Sequence, residues 1–309
     1  MLTSWGVVAV VGAVAFTQLI GWDDVRAAVI MQALTPYLGL LLVPVASWGL
    51  WRRSYTTVTI SCAIGFGLLV LATPLAFPAT SPAVADHATL LRVGAVNLLY
   101  TNDRTADIAA DLGARDLDVI VFNEYTPAHR QELLASPLAD HFGQRIERPG
   151  PGGAGVAVWS RRPSTVNGEL PDLENESLDV TIDGPDGDIR LLAVHPPPPV
   201  NKFDGWRRDL NTIERIARSA GPNTLLVGDL NVSPWHPTFR RLLDSGFTDA
   251  HAATGNGFST SWPADGWIPA FVRIDHALFS AGLAAPAVED FDVPGSDHRG
   301  FVVSVATVR

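Results

Sequence analysis

Three long apolar runs open the chain, Leu2 to Trp22, Ala27 to Leu50 and about Thr57 to Phe77, and none carries a charge inside. Each reaches the roughly 20 residues that a bilayer-spanning helix needs, so three transmembrane helices are predicted over residues 1–78. Trp22, Trp48, Trp51 and Tyr55 fall near the ends of these runs, where amphipathic rings favour the headgroup region. After about Leu90 the pattern changes to short apolar segments broken by polar turns. Leu90 to Leu99, Asp118 to Phe122, Val156 to Ser160, Leu178 to Ile182, Ile189 to His195, Arg273 to Phe279 and Phe301 to Val305 read as strands, as does the run that ends at Asp229. Asp183-Gly184-Pro185-Asp186-Gly187 reads as a hairpin turn. Helical spacing marks Thr105 to Ala114 (with Thr105 as N-cap), Pro127 to Ser136, Asp204 to Ala220 and a stretch around Pro237 to Ser245. Strands and helices intermix and some strands join by hairpins, which predicts an α/β domain with mixed sheets over residues 90–309. The alanine-rich stretch with Pro82 reads as a linker over residues 79–89.

Charge sharpens this division. Of 22 Lys+Arg and 32 Asp+Glu, only Arg26, Arg52, Arg53, Asp23 and Asp24 precede Asp86, which leaves 19 basic against 30 acidic residues in the domain. Such an acidic domain is not built to hold nucleic acid by bulk electrostatics. Arg52 and Arg53 separate the second and third runs, whereas the first connection is Asp23-Asp24-Val25-Arg26. Basic loops stay cytoplasmic, so the expectation is a multi-pass protein of the cell membrane with its domain extracytoplasmic. Ala83-Val84-Ala85 has the look of a small-residue cleavage site, which would release the domain. Cys62 is the single cysteine, so no intrachain disulfide can form.

The candidate chemistry centres on Thr224 to Trp235, TLLVGDLNVSPW. Asp229 and Asn231 stand two apart on an extended chain and therefore point to one side. Gly228 lets the backbone pass close to something there, and Pro234 stops the strand. Polar residues recur at the tips of other apolar strands: Asn97, Glu124, His195, Asp275 with His276, and Asp297 with His298. A solvated turn explains any one of them, but not five strand tips ending in acids, amides and imidazoles. His129, His141 and His251 are expected on the surface and Trp159 in the core. Trp206, Trp235, Trp262 and Trp267 suit either the lining of a site or ordinary packing.

This ordered set resembles the endonuclease/exonuclease/phosphatase superfamily, which includes DNase I, apurinic endonucleases, neutral sphingomyelinases and inositol polyphosphate 5-phosphatases. The resemblance spans about Leu91 to Phe301 and is most specific in GDLN and SDH. It implies a four-layer α/β sandwich, two packed mixed sheets flanked by helices, with the site at one edge. Apolar runs followed by this domain, and the HPPPP run, look like a membrane-anchored bacterial branch. That branch includes glycopeptide-resistance-associated undecaprenyl-pyrophosphate phosphatases. By the same resemblance Asn97 and Glu124 match divalent-metal ligands, with Mg²⁺ expected and Mn²⁺ as the alternative, and Asp297 matches a second metal-side acid. Asp229 and Asn231 match the pair that orients water and stabilises the phosphorane, Asp275 and His298 the orienting Asp–His pair, and His195 a further histidine. Arg273 is a weaker candidate for substrate binding. The chain departs from the pattern at Asn123, where Gln is common, and the acid that should hold His195 has no clear match, with Glu174 and Glu176 as the candidates.

The resulting expectation is a metal-dependent phosphohydrolase tethered to the membrane and acting on a phosphorylated lipid such as undecaprenyl pyrophosphate, with no protein partner. An extracellular DNase I-like nuclease and a non-catalytic membrane-associated binding module are the alternatives.

Overall fold

Strands that are apolar at every position can be covered on both faces, and this chain covers them so. In the computed structural model, which describes residues 2–77, 84 and 88–308, twelve strands follow the N-terminal helices. They are β1 (Leu91–Asn97), β2 (Val119–Asn123), β3 (Gln144–Arg148), β4 (Val156–Ser160), β5 (Ser164–Gly168), β6 (Leu178–Gly184), β7 (Gly187–Ala193), β8 (Thr224–Asp229), β9 (Phe247–Asp249), β10 (Asp275–Ser280), β11 (Leu283–Asp292) and β12 (Arg299–Thr307). Two six-stranded sheets result, ordered β11-β12-β1-β2-β4-β3 and β5-β6-β7-β8-β10-β9. Each holds one parallel pair, β1/β2 and β7/β8, with antiparallel neighbours. The helices Thr105–Gly113 and Phe203–Arg218 make the two crossovers.

Alternation assigns the layers. Val119 and Val121 join Leu225 and Val227 in the core between the sheets. Ile120 and Phe122 point the other way, to Ile108, Leu112 and Leu133 of the outer helices. On the far side Leu226 meets Leu210, Ile213 and Phe239. The order is helix, sheet, sheet, helix, as the α/β sandwich requires, and Trp159 is fully buried in it. The strands absent from the sequence reading are β3, β5, β9 and β11, the four sheet edges. β3 and β5 are half-covered and polar on their outer positions, β9 has three residues, and β11 contains Pro286 next to a register shift. Edge strands carry weak apolar patterns because only one side is paired and buried.

Several local expectations are corrected. Thr105 lies buried inside its helix, and Arg104 holds the N-cap position without a side-chain bond. The capped helix is Pro127–Ala135, where Thr126 accepts from His129 N at 3.1 Å and the His129 ring accepts from Thr126 N. His129 is therefore a buried capping partner rather than a surface residue. His251 is buried too, its Nε2 3.0 Å from Asp290, while His141 is exposed as expected.

The count of three membrane helices is also corrected. Among the described residues, Tyr55–Ala76 is the helix long and apolar enough to cross a membrane. The second run breaks at Leu34 into Arg26–Ala33 and Thr35–Trp51, bent by 69°, with Pro36 in the first turn of the new helix. The ring of Pro36 has no N–H to continue the ladder. The first run, Ser4–Leu19, is shorter than a span. Most of the expected linker, with Ala83 and Ala85, lies outside the described residues.

The acidic first connection docks on the domain. Asp23, buried, accepts from Thr238 N at 2.9 Å and faces Arg241 at 3.4 Å. Arg207 pairs with Asp24 at 2.9 Å, and Arg240 donates to Gln18 O at 2.8 Å. His236 closes this seam: its Nδ1 accepts Ser233 N–H at 2.8 Å, so its Nε2 carries the proton toward Val29 O, also at 2.8 Å. Burial pushes the His236 imidazole down to about 4, and burial with Arg273 beside it pushes His276 down to about 3. Both rings are neutral in the fold and titrate near 6.5 when unfolded. Stability is therefore complete above pH 6.5 and is lost as pH falls toward 4, by about 1.4 kcal/mol per pH unit for each ring. Thermal melts of the full chain in detergent should drop steadily from pH 7 to 5, and His236→Gln should flatten part of that slope. A melting temperature constant over this range would contradict the assignment.

Candidate active site

The site lies along one edge of the two sheets, where strand ends of opposite direction meet. Asn97 ends β1 and pairs in register with Asn123 at the end of β2. Asp229 ends β8 opposite Asp275, which begins β10 because that strand runs antiparallel. His298 likewise precedes β12, and His195 follows β7 by two residues. Asp275 and His298 thus stand at strand starts, not at the C-terminal ends that Asn97 and Asp229 occupy. Antiparallel pairing brings N-terminal starts to the same edge and so reaches the same gathering.

Close backbone approach makes this possible. Gly228 has φ +142°, and a Cβ there would lie 2.1 Å from Val194 O and 2.9 Å from Asn123 Oδ1. Asn123, at the position where Gln is common, ties the two sheets together beneath the site. Its Oδ1 accepts Asp229 N–H at 2.9 Å, and its Nδ2 donates to Val194 O at 3.2 Å. The available signal was a polar residue closing a strand that is buried at every position.

Asp229 is the hub. Its Oδ1 accepts Asn231 N–H at 2.9 Å, and its Oδ2 accepts from Asn97 Nδ2 at 3.1 Å. The same Oδ2 lies 3.5 Å from His195 Nε2 and 3.7 Å from His298 Nε2. Glu124, with φ +57°, turns out of β2 toward the same point. Its Oε1 shares Asn97 Nδ2 at 3.3 Å, and its Oε2 accepts Tyr100 N–H at 2.8 Å. Asp275 Oδ2 lies 2.9 Å from His298 Nδ1. Asp297 accepts Trp262 Nε1–H at 3.0 Å and stands 3.8 Å from His298 Nε2, on the imidazole side of the group. Asn231, at φ +49°, donates its side-chain amide to Pro196 O at 3.0 Å. Eight of the nine candidate residues therefore gather in one place.

Arg273 does not join them. It is 3 % exposed and grips Asp249 with two bonds of 2.6 and 3.0 Å, with His276 Nδ1 3.1 Å away, so its charge is neutralised inside the domain. Glu174 is not the acid of His195 either: it pairs with Lys202 at 2.7 Å and Arg208 at 3.0 Å on the surface. Glu176 pairs through its backbone N–H with Ala154 O. The carboxylate beside His195 is Asp229, and His195 Nδ1 has no partner among the described residues. Of the four tryptophans, Trp206 is core, Trp235 is half-buried, Trp262 holds Asp297, and Trp267 is almost fully exposed.

The electrostatics follow from crowding buried charges. Burial alone would lower the His298 imidazole, but Asp275 and Asp229 together pull it up to about 10, so it is a cation at neutral pH. Burial also opposes the charge on His195, and the Asp229 carboxylate outweighs it. Asp229 is pushed up by burial and brought below its usual range by His298 and His195. Asp275 goes up, through burial first and against the pull of His298, with the Asp229 charge adding to the rise.

Asp229, Asp275 and His298 each offer a ligand atom within 4.8 Å of one another. An imidazolium bound to a carboxylate has no lone pair free for a metal, however. Asn97, Glu124 and the facing oxygen of Asp229 form a better corner: amide and carboxylate oxygens suit a hard divalent cation. The Asn97 amide group donates to both carboxylates and so holds their oxygens side by side. Asn97 now turns its nitrogen inward and its Oδ1 to Leu99 N–H at 3.0 Å, so ligation by Asn97 requires its amide to turn.

The profile of the endonuclease/exonuclease/phosphatase family matches residues 94–298. No curated protein sequence matches the chain. Among solved structures, TDP2 from D. rerio complexed with single-strand DNA product superposes with a TM-score of 0.59 at 18 % identity, covering 71 % of this chain and 100 % of that one. The 3′ phosphatase NExo from Neisseria bound to product DNA hairpin gives 0.54 at 19 % identity, covering 69 % and 98 %. An endonuclease/exonuclease/phosphatase protein from Beutenbergia cavernae DSM 12333 gives 0.52 at 22 % identity, covering 71 % and 72 %. With its profile matched from β1 to His298 and the same sandwich beneath it, the chain belongs to the endonuclease/exonuclease/phosphatase family.

Proposed function

We propose that the protein is a membrane-attached, divalent-metal-dependent phosphohydrolase that acts at the outer face on phosphorylated lipids, lipid pyrophosphates such as undecaprenyl pyrophosphate among them. The convergence of Asn97, Glu124, Asp229 and His298 on one edge carries the reading of hydrolysis. Glu124 and Asn97 would hold the cation, with Asp297 as a further acid at the rim. A cation so held supplies Lewis acidity toward phosphoryl oxygen. His298, kept protonated and aimed by Asp275, presents its Nε2–H to the phosphate and neutralises charge as it develops. Asp229 and Asn231 orient the attacking water, and His195, whose Nε2 faces the same Asp229 oxygen as His298, is a second proton carrier.

Attachment rests on the helix Tyr55–Ala76. Arg52 and Arg53 precede it, and its far end meets the domain, where a Cβ on Gly257 would lie 2.4 Å from Leu75 O. The docked Asp23–Asp24 connection lies on the domain's side as well. Basic residues away from the domain and acidic ones against it support an external site. The full chain in detergent should release phosphate from a polyprenyl pyrophosphate with Mg²⁺, stop with EDTA, and recover when Mg²⁺ or Mn²⁺ is restored. Absence of metal-dependent release would overturn the lipid reading, and nicking of plasmid DNA by the same preparation would favour a nuclease.

A further inference from the structure

The helical part and the domain share an apolar groove. It measures about 520 Å³ and lies between the helices Thr35–Trp51 and Tyr55–Ala76, with Leu40, Leu42, Phe66 and Leu69 in its walls and Trp235 and Phe258 of the domain at its end. That volume is in the range of ~300–1,000 Å³ typical of small-molecule sites. Glycines open it: Gly39 and Gly65 line the trough, and a Cβ at Gly65 would meet only Leu42, at 3.9 Å. A second cavity of about 120 Å³ shares Pro36, Trp235 and Phe258 with the first and continues between Tyr37, Pro234 and Phe271. Its walls belong to the segments that carry the site. Trp235 is four residues from Asn231, and Thr260 precedes Ser261, whose Oγ accepts the Asp275 N–H at 3.3 Å.

On the other wall Tyr37 donates to Phe271 O at 2.8 Å, Phe271 packs on Trp262 with centroids 6.4 Å apart, and Trp262 donates to Asp297. Between them Trp267 is 93 % exposed and Ile268 47 % exposed, which suits a loop resting in the interfacial layer. We infer that this groove holds the hydrocarbon chain of the phosphorylated lipid, which enters between the two helices and passes Trp235 and Phe258 to place its headgroup at Asp229 and His298. The inference rests on the lipid reading of the site and goes beyond it in assigning the chain-binding residues. The observation behind it is shared lining: the trough between the apolar helices ends at Trp235 and Phe258, and the same two side chains line the second cavity beside Pro234 and Val272, on the segments that lead to Asn231 and Asp275.

Cys62, exposed and lining the groove, is the chain's single cysteine and so provides a direct probe. The full chain in phosphatidylcholine vesicles with EDTA, so that nothing turns over, would be alkylated with N-ethylmaleimide and followed by intact mass. Geranylgeranyl pyrophosphate at a few times its Kd should slow alkylation of Cys62 about fivefold, and inorganic pyrophosphate should leave it unchanged. Gly65→Phe, which fills the trough, should raise the KM for geranylgeranyl pyrophosphate about tenfold, a loss of about 1.4 kcal/mol. The same variant should leave hydrolysis of bis(p-nitrophenyl) phosphate within about twofold of the parent. Equal alkylation with and without the lipid, or equal protection by inorganic pyrophosphate, would overturn the groove assignment even if the enzyme hydrolyses lipids. Protection of Cys62 in a protein that hydrolyses no lipid would instead uphold the groove and remove the proposed reaction.

Discussion

Asp229→Asn is expected to lower kcat by roughly 10³–10⁴ with the fold intact. The substitution keeps the shape and the Oδ1 acceptor for Asn231 N–H at 2.9 Å. It removes the charge that faces Asn97, His195 and His298. Groups that place or move a proton in a hydrolytic step typically contribute about 10²–10⁴, and preorganised charge contributes on a similar scale. His298→Gln should fall in the same range, because it removes the cation held by Asp275. The two together should lose little more than either alone, since residues acting as a unit are not additive. Single-turnover rates on a soluble phosphodiester and on a lipid pyrophosphate, with circular dichroism to confirm folding, provide the measurement. Unchanged function in both variants would mean a binding module that kept the fold.

Arg273→Met should cost the fold about 3–5 kcal/mol rather than weaken substrate binding. The Asp249–Arg273 pair is buried on both sides. Burial pushes the Asp249 carboxyl up, and Arg273 holds it down to about 2, so the acid is charged at any ordinary pH. Removing one partner of a buried pair leaves the other charge uncompensated, which is the expensive case. For a domain of this size the melting temperature should fall by about 10 °C. A double variant, Arg273→Met with Asp249→Leu, should recover much of that loss, because apolar replacement of both partners is often neutral. An unchanged melting temperature with a raised KM would return Arg273 to the substrate site.

These two residues show what was legible in the sequence. The acid in Gly228-Asp229 sits at the end of a wholly apolar run, a contrast that the sequence alone displays. Arg273 lies beside Asp275 in sequence, but its direction depends on β9, a three-residue edge strand whose pattern is too short to read. Central strands were legible because both faces are buried. Edge strands were not, because half of each is solvated. The same limit applies to His129 and His251, whose burial depends on a cap and on Asp290, contacts that no local pattern encodes. In the N-terminal part hydropathy marks three apolar runs, but composition alone registers neither the shortness of the first helix nor the 69° bend that turns the second run into two pieces, so three spans are expected where one helix is long enough.

The placement of β12 has a consequence for biosynthesis. It inserts between β1 and β11, and the imidazole of His298 rides immediately ahead of it. A nascent polypeptide that has completed β1 through β10 already owns Glu124, Asp229 and Asp275, yet its first sheet is missing its keystone, and Asp297 and the cationic group are still to come. The site is therefore assembled only when the closing ribbon is in place, so prematurely terminated products lack it.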